Sequence, residues 1–355
     1  MINRYNIRLD SIPNSIWSLI AQIDELKGRW IGAANLNPYT LSQLRRSVLV
    51  TSTGASTRIE GSKMTDADIE SMLRGISMQT FSDRDKQEVQ GYYELLQNVF
   101  NSWQDITFSE SAIKHFHKEL LKYGKKDQHH RGEYKHGENK VEMINERGES
   151  IGTLFETTPA YLTPKEMLEL VEWTKQSLAE KHFHPLLVVG NFIVEFLNIH
   201  PFSDGNGRLS RILTNLLLLK KGYSYMPYIS HEKLVEDNKP EYYVALRKSQ
   251  KTFKANRADI SSWLEFFLKM LLSQSRMAVD LLSNESIEKI LSPNQLRVWE
   301  YLQNIDEATP GDISKNSGVT RPTVSQVLNK LLTFKKIERI GLGRATRYRK
   351  IYKKS

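Results

Sequence analysis

The chain has 355 residues, 39% of them hydrophobic and 26% charged, a globular composition with length for two or three domains. It has no cysteine, which excludes disulfides and thiolate-bound metals, and no apolar run near the roughly 20 residues a membrane span needs. The net charge of +9 is uneven: residues 321–355 carry 11 Lys/Arg against 1 Asp/Glu, a balance of +10, and the first 320 residues balance at −1, the pattern of a near-neutral body with a module for a polyanion.

The first 17 residues lack the basic start, apolar middle and small-residue cleavage site of a secretory signal, so a cytoplasmic location is expected. Three regions follow. The first, 1–105, reads as helical. Leu44, Val48 and Leu49 lead into Ser56-Thr-Arg-Ile-Glu60-Gly61, where the glycine suits a helix end. Thr65 is placed to cap the next helix, with Asp66, Asp68 and Glu70 behind it. The second region, 106–285, has mostly helical spacing, broken between Gly132 and Pro164. There Lys140–Ile144 alternates, Asn145–Gly148 looks like a turn and Ile151–Phe155 pairs back, which predicts a β-hairpin. Leu271–Glu288 reads as a linking helix. The third region, 289–355, reads as three short helices and a two-stranded wing turning at Gly341 and Gly343.

The densest chemistry lies in His200-Pro-Phe-Ser-Asp-Gly-Asn-Gly-Arg-Leu-Ser-Arg211. An apolar helix, Leu186–Ile199, ends at His200-Pro201, because proline cannot continue a helix interior. A Gly-rich loop then opens onto a second helix, Arg208–Leu219, whose first N–H groups and dipole form an anion seat. Gly205 and Gly207 allow close backbone approach to a phosphate, and Asn206 is the candidate N-cap. Arg208 and Arg211, three apart, lie near one helix face and suit phosphate oxygens. Asp204 is a hard oxygen ligand for Mg²⁺, and His200 is the side chain best suited to proton transfer near neutral pH.

At every defined position this segment resembles the Fic-domain motif His-Pro-Phe-x-(Asp/Glu)-Gly-Asn-Gly-Arg-x-x-Arg. His184-Pro-Leu-Leu before it and Ala258-Asp-Ile-Ser-Ser-Trp after it also fit, so the resemblance covers roughly residues 40 to 275. It implies an all-α core with a small β-hairpin flap, and AMP transfer from ATP to a Ser, Thr or Tyr hydroxyl of a target protein or of the chain itself. On that resemblance His200 is the base and Asp204 holds Mg²⁺ on the α/β-phosphates. Gly205, Asn206 and Gly207 cradle phosphate, Arg208 binds phosphate, Arg211 holds the γ-phosphate and Phe202 anchors the loop. Tyr242 and Tyr243 fall where adenine-side contacts are expected, whereas Gln250 stands where an Asn is often seen. The hairpin near 140–157 resembles the flap that holds the target as an added strand.

Ser56-x-x-x-Glu60-Gly61 resembles the family's inhibitory motif in its N-terminal form. A Glu60–Arg211 pair would deny Arg211 to the γ-phosphate, so an autoinhibited adenylyltransferase is expected. Two alternatives stand beside it: AMP removal, with Glu60 orienting water, and a DNA-binding regulator whose Fic-like domain senses nucleotide.

The third region resembles a winged helix-turn-helix domain. Its amphipathic segment from Thr320 turns Val324, Val327, Leu328 and Leu331 inward. Arg321, Thr323, Ser325, Gln326, Asn329 and Lys330 face outward, which suits DNA. Oligomeric state stays open, with a homodimer among the options. His115 and His117 read as packing or surface residues, and His129, His130 and His136 lack a metal-ligand spacing.

Overall fold

The computed structural model describes residues 4–10, 12–32, 38–75, 83–144, 150–253, 255, 258–290, 292–333, 336–341, 343 and 346–351. The chain divides into two compact units, Met1–Val279 and Asp280–Ser355.

The first unit begins with α1 (Arg4–Ile7), α2 (Asn14–Gly32), α3 (Pro38–Ile59), α4 (Asp66–Leu73), α5 (Asp83–Ser102) and α6 (Glu110–Leu120). The local chemistry sets these boundaries. Thr65 caps α4 through a box with Asp68, and Ser109 caps α6 by accepting from Ala112 N. Ile16, Ile20 and Ile23 recur at helical spacing and bury one face of α2.

A two-stranded antiparallel hairpin follows, β1 (Lys140–Ile144) with β2 (Ser150–Glu156), in which Lys140 faces Glu156 and Val141 faces Phe155. The predicted turn at Asn145–Gly148 lies outside the described residues. Next come α7 (Thr163–Glu180), α8 (Pro185–Ile199), α9 (Asn206–Lys220), α10 (His231–Asp237), α11 (Lys239–Gln250) and α12 (Ser261–Ile290). Pro185 occupies the first turn of α8, where its missing N–H costs nothing.

α8 and α9 are the centre of the unit. Each buries 13 of its 15 residues, so apolar side chains surround both helices. Fully burying each such Leu, Ile or Phe contributes about 1.5–3 kcal/mol. This packing holds the loop between the two helices rigidly at both ends. α3 packs against α5 and α10 and is itself interior, with Ala55 and Ser56 at 0% exposure. The linking helix expected at Leu271–Glu288 is the later part of α12, which starts ten residues earlier because Trp263, Leu264, Phe267, Leu268 and Leu271 continue one buried face.

The second unit contains α13 (Pro293–Gln303), α14 (Pro310–Ser317), α15 (Arg321–Thr333) and the antiparallel pair β3 (Ile337–Ile340) and β4 (Arg347–Lys350). Val298, Trp299, Leu302, Ile313, Val324, Val327, Leu328 and Leu331 form its core. Arg321, Ser325, Gln326 and Asn329 of α15 are exposed. Gly341 and Gly343 both have positive φ, at 76° and 62°. No helix among the described residues is long and apolar enough to cross a membrane.

Candidate active site

α8 ends at His200, which takes a left-handed conformation, φ 51° and ψ 60°, and donates its backbone N–H to Phe196 O. For a non-glycine residue that conformation costs of order 1 kcal/mol or more, so the surroundings must hold it. They do. Phe202 is fully buried and stacks on the His117 ring at 3.8 Å between centroids. His117 Nδ1 accepts from Gly132 N, which makes Nε2 the protonated nitrogen that donates to Asp204 O at 3.0 Å. His117 is therefore a packing residue that also ties down the loop.

Asn206 acts differently from the capping role expected of it. The N-cap of α9 is Gly205, at φ 78°, and Asn206 is the first helical residue. Its side-chain amide accepts from Phe202 N at 3.0 Å and donates to Phe202 O at 2.7 Å. The loop is closed on itself, and the left-handed turn it needs falls on a residue without a Cβ.

The His200 ring is set up as a neutral base. Nδ1 lies 3.4 Å from the Leu197 carbonyl, which can only accept, so in the neutral ring Nδ1 carries the proton and Nε2 keeps its lone pair. Burial is the main influence on its pKa. Against the pull of the Leu197 carbonyl, burial and the Lys135 charge bring it down to about 4. Lys135 is an addition that periodicity alone does not reveal. It is 4% exposed, and its ammonium donates to Asn139 Oδ1 at 2.7 Å, Thr157 Oγ1 at 2.9 Å and Ile199 O at 3.1 Å. It joins both ends of the hairpin to the last turn before His200. Burial, opposed by Glu138 and Glu166, lowers its pKa to about 8.

The two motif arginines diverge instead of sharing one ligand face. Arg208, 2% exposed, pairs with Glu88 of α5 at 2.9 Å and with Asp204 at 3.0 Å. Arg211 donates from Nε to Ser56 Oγ at 2.7 Å, and from Nη2 to Ser56 O at 3.0 Å and Glu60 Oε1 at 2.7 Å. Partial burial opposes the Glu60 charge, but Arg211, with Arg208 beyond it, holds the carboxyl below its ordinary pKa. The same carboxylate lies against Gly207, where an added Cβ would collide with Glu60 Oε1. A negative side chain thus occupies the N-terminal end of α9, the seat expected for a phosphate.

Asp204 Oδ1 accepts from Gly205 N at 2.6 Å, and Oδ2 from Arg84 Nη2 at 2.8 Å and Arg208 Nη2 at 3.0 Å. Burial works against its charge, yet Arg208, the Gly205 N–H and Arg84 hold its pKa below the usual value. No group of three or more His, Cys, Asp or Glu residues suited to a metal occurs among the described residues. A single carboxylate fits Mg²⁺, which keeps waters and takes most of its remaining ligands from substrate phosphates.

Tyr242 is 5% exposed and packs edge-on against Tyr243, Trp263 and Phe266, with its phenol pushed up to about 12 by burial. Tyr243 is half-buried beside it. Gln250 is buried, and neither polar atom of its side chain has a hydrogen bond among the described residues.

Residues 107–218 match the Fic/DOC family. A Fido domain-containing protein of Dictyostelium discoideum is 36% identical over 101 residues, covering 27% of this chain and 66% of that protein. A probable protein adenylyltransferase of Aquifex aeolicus is 30% identical over 114 residues, covering 32% of this chain and 35% of that one. The chain thus spans less than two thirds of either relative's length. The crystal structure of a Fic family protein from Desulfovibrio desulfuricans G20 aligns over 97% of this chain and 98% of its own, at TM-score 0.63 and 26% identity. The family match runs from just before α6 almost to the end of α9 and takes in His200, Asp204, Arg208 and Arg211; this stretch of the chain is a Fic domain.

Proposed function

We propose that this protein transfers AMP from ATP to a hydroxyl of a target protein, and that Glu60 holds the reaction back. The carrying observation is the pairing, within one closed loop, of a neutral imidazole at His200 with the phosphate seat at the start of α9. The naming of the Aquifex aeolicus relative as a probable protein adenylyltransferase supports the same reading.

In this reading His200 Nε2 takes the proton of the target hydroxyl. The hydroxyl oxygen attacks the α-phosphorus of ATP, a P–O bond forms, and the α–β bridging bond breaks to release pyrophosphate. The Gly205–Gly207 backbone and the α9 dipole hold phosphate oxygens, and Arg211, once free of Glu60, takes the terminal phosphate. Arg208 is fixed by Glu88 and orients Asp204. Tyr242 and Tyr243 line the adenine side. Asp204 would hold Mg²⁺, which would supply neutralising charge for the phosphates. The hairpin β1–β2 presents the target, and Lys135 fixes it against the catalytic loop.

The test uses labelled ATP with the Glu60→Gly protein and with the Glu60→Gly, His200→Ala double variant. Label on protein in the first and none in the second supports transfer, base and brake together. AMP removal is the second reading of the same site, since Glu60 stands beside Arg211 where it can orient water. It needs Glu60 for activity, so loss of AMP release in Glu60→Gly is its signature.

For the second unit we propose a winged helix-turn-helix that contacts duplex DNA through α15 and the β3–β4 hairpin. The exposed Arg321, Ser325, Gln326 and Asn329 on one face of α15 support it.

A further inference from the structure

We infer that Arg84 is a resident cation on the Asp204 carboxylate and competes there with the divalent metal. The inference rests on the nucleotide-site reading above and concerns a residue outside the motif, 120 positions before Asp204. Arg84 is the second residue of α5. Its Nη2 lies 2.8 Å from Asp204 Oδ2, and its Nε donates to Glu88 Oε1 at 2.8 Å.

The three donors on Asp204 differ in how readily they can leave. Gly205 N is backbone and belongs to the turn that starts α9. Arg208 is 2% exposed at its side chain and is braced by Glu88. Arg84 is 52% exposed and reaches the carboxylate from solvent. Among the described residues it is the donor that an incoming cation can displace without unmaking the loop. A metal ion and a guanidinium cannot share one carboxylate oxygen cheaply, because their like charges repel at that distance. Arg84 keeps a foothold when it leaves, since Glu88 lies one turn along the same helix.

The resting site therefore mimics its own ligands in both signs. Glu60 supplies a carboxylate at the phosphate seat, and Arg84 supplies a positive charge at the metal seat. Releasing Glu60 alone leaves the second block in place.

The test measures ATP binding to the full chain by calorimetry, in the Glu60→Gly background, once with excess EDTA and once with saturating Mn²⁺. The ratio of the two affinities is the metal's contribution. Arg84→Gln should raise that ratio about two- to fivefold, the scale of a part-exposed ion pair. A change in ATP affinity common to both conditions cancels, so a plain Arg84–phosphate contact does not imitate the result. An unchanged or lower ratio overturns the proposal. Asp204→Asn serves as the reference, because it should bring the ratio near one. If Asp204→Asn keeps the full ratio, the metal reading of Asp204 itself fails. If it collapses the ratio while Arg84→Gln leaves it alone, only the role of Arg84 fails.

Discussion

Glu60 Oε1 accepts from Arg211 Nη2 at 2.7 Å across 151 residues of chain, while the same guanidinium holds Ser56, one helical turn earlier, by both its hydroxyl and its carbonyl. One arginine thus reads a single turn of α3, and removing Glu60 leaves it anchored but with a donor to spend. Glu60→Gly is expected to raise AMP transfer about tenfold or more, the scale of one charge-assisted hydrogen bond. The melting temperature should hardly move, because Ser56 keeps Arg211 paired. A variant no faster than wild type, with unchanged melting, rejects the brake.

The pH behaviour follows from two imidazoles, half-buried His200 and buried His231. His200 titrates near 4, so transfer by Glu60→Gly should stay level from pH 8 to 6 and fall only on approach to pH 4–5. An acid limb centred near pH 6.5 contradicts this. His231 is 4% exposed and also lowered to about 4, by burial and then by Arg211. Its unfolded pKa is the ordinary one of about 6.5, so the unfolded chain takes the proton first. The stability present above pH 6.5 is therefore lost as pH falls towards 4, by about 3 kcal/mol for this one group. Denaturant midpoints at pH 7.5 and pH 5, compared with His231→Gln, measure it: the variant should show a flatter dependence.

Lys135→Met should lower stability by about 1.5–3 kcal/mol, the range for hydrogen bonds made by a charged donor. It should also cut transfer in the Glu60→Gly background, since Ile199 O loses its tie to the hairpin. The acid limb of the pH profile should move upward as well, because a positive charge near His200 is gone. Reduced stability with an unmoved profile would confine Lys135 to a structural role.

DNA binding by the second unit should weaken steeply with salt, with a slope of about −0.9 per phosphate contacted on logarithmic axes. Arg321→Ala should reduce that slope by about 1 if the side chain meets phosphate, and should relax sequence preference if it meets a base edge. Fluorescence anisotropy with a labelled duplex across a salt series reads both. No binding at low salt removes DNA from the account.

The sequence made the catalytic loop legible because its groups are contiguous. Twelve residues carry an imidazole, a carboxylate, two glycines and two arginines, and the apolar runs on either side could only be buried helices. The hairpin was legible from alternation, and the long helix of the second unit from spacing such as Val324, Val327, Leu328 and Leu331. Glu60 was visible only through family likeness, because one carboxylate near a helix end has no local signature. Arg84, Glu88 and Lys135 left no signal at all. Each acts through a partner 64 to 120 positions away, and such pairs are set by how α5, the hairpin and α9 pack. Asn206 was misread as a cap for a related reason: its side chain was satisfied by Phe202 rather than by the helix it begins.

The anchoring of α3 has a consequence for how the proposed brake would be released. Arg58 grips Glu236 of α10 through two nitrogens, at 2.6 and 3.1 Å. Lys239 donates to Ile59 O at 2.7 Å, and Ser52 bonds to Ser230 at 2.8 Å. Ala55 and Ile59 are core residues between these ties. Lifting α3 away would break all of these ties, whereas turning the Glu60 side chain, in the turn just after the helix, about its three rotatable bonds breaks none of them. On the proposed brake, inhibition would then be a rotamer occupancy that exchanges on the fast timescale of side chains instead of the slow one of domains. The time one carboxylate spends turned towards water would set how often Arg211 is released, and a ligand that captures that rotamer would free Arg211 without moving the backbone.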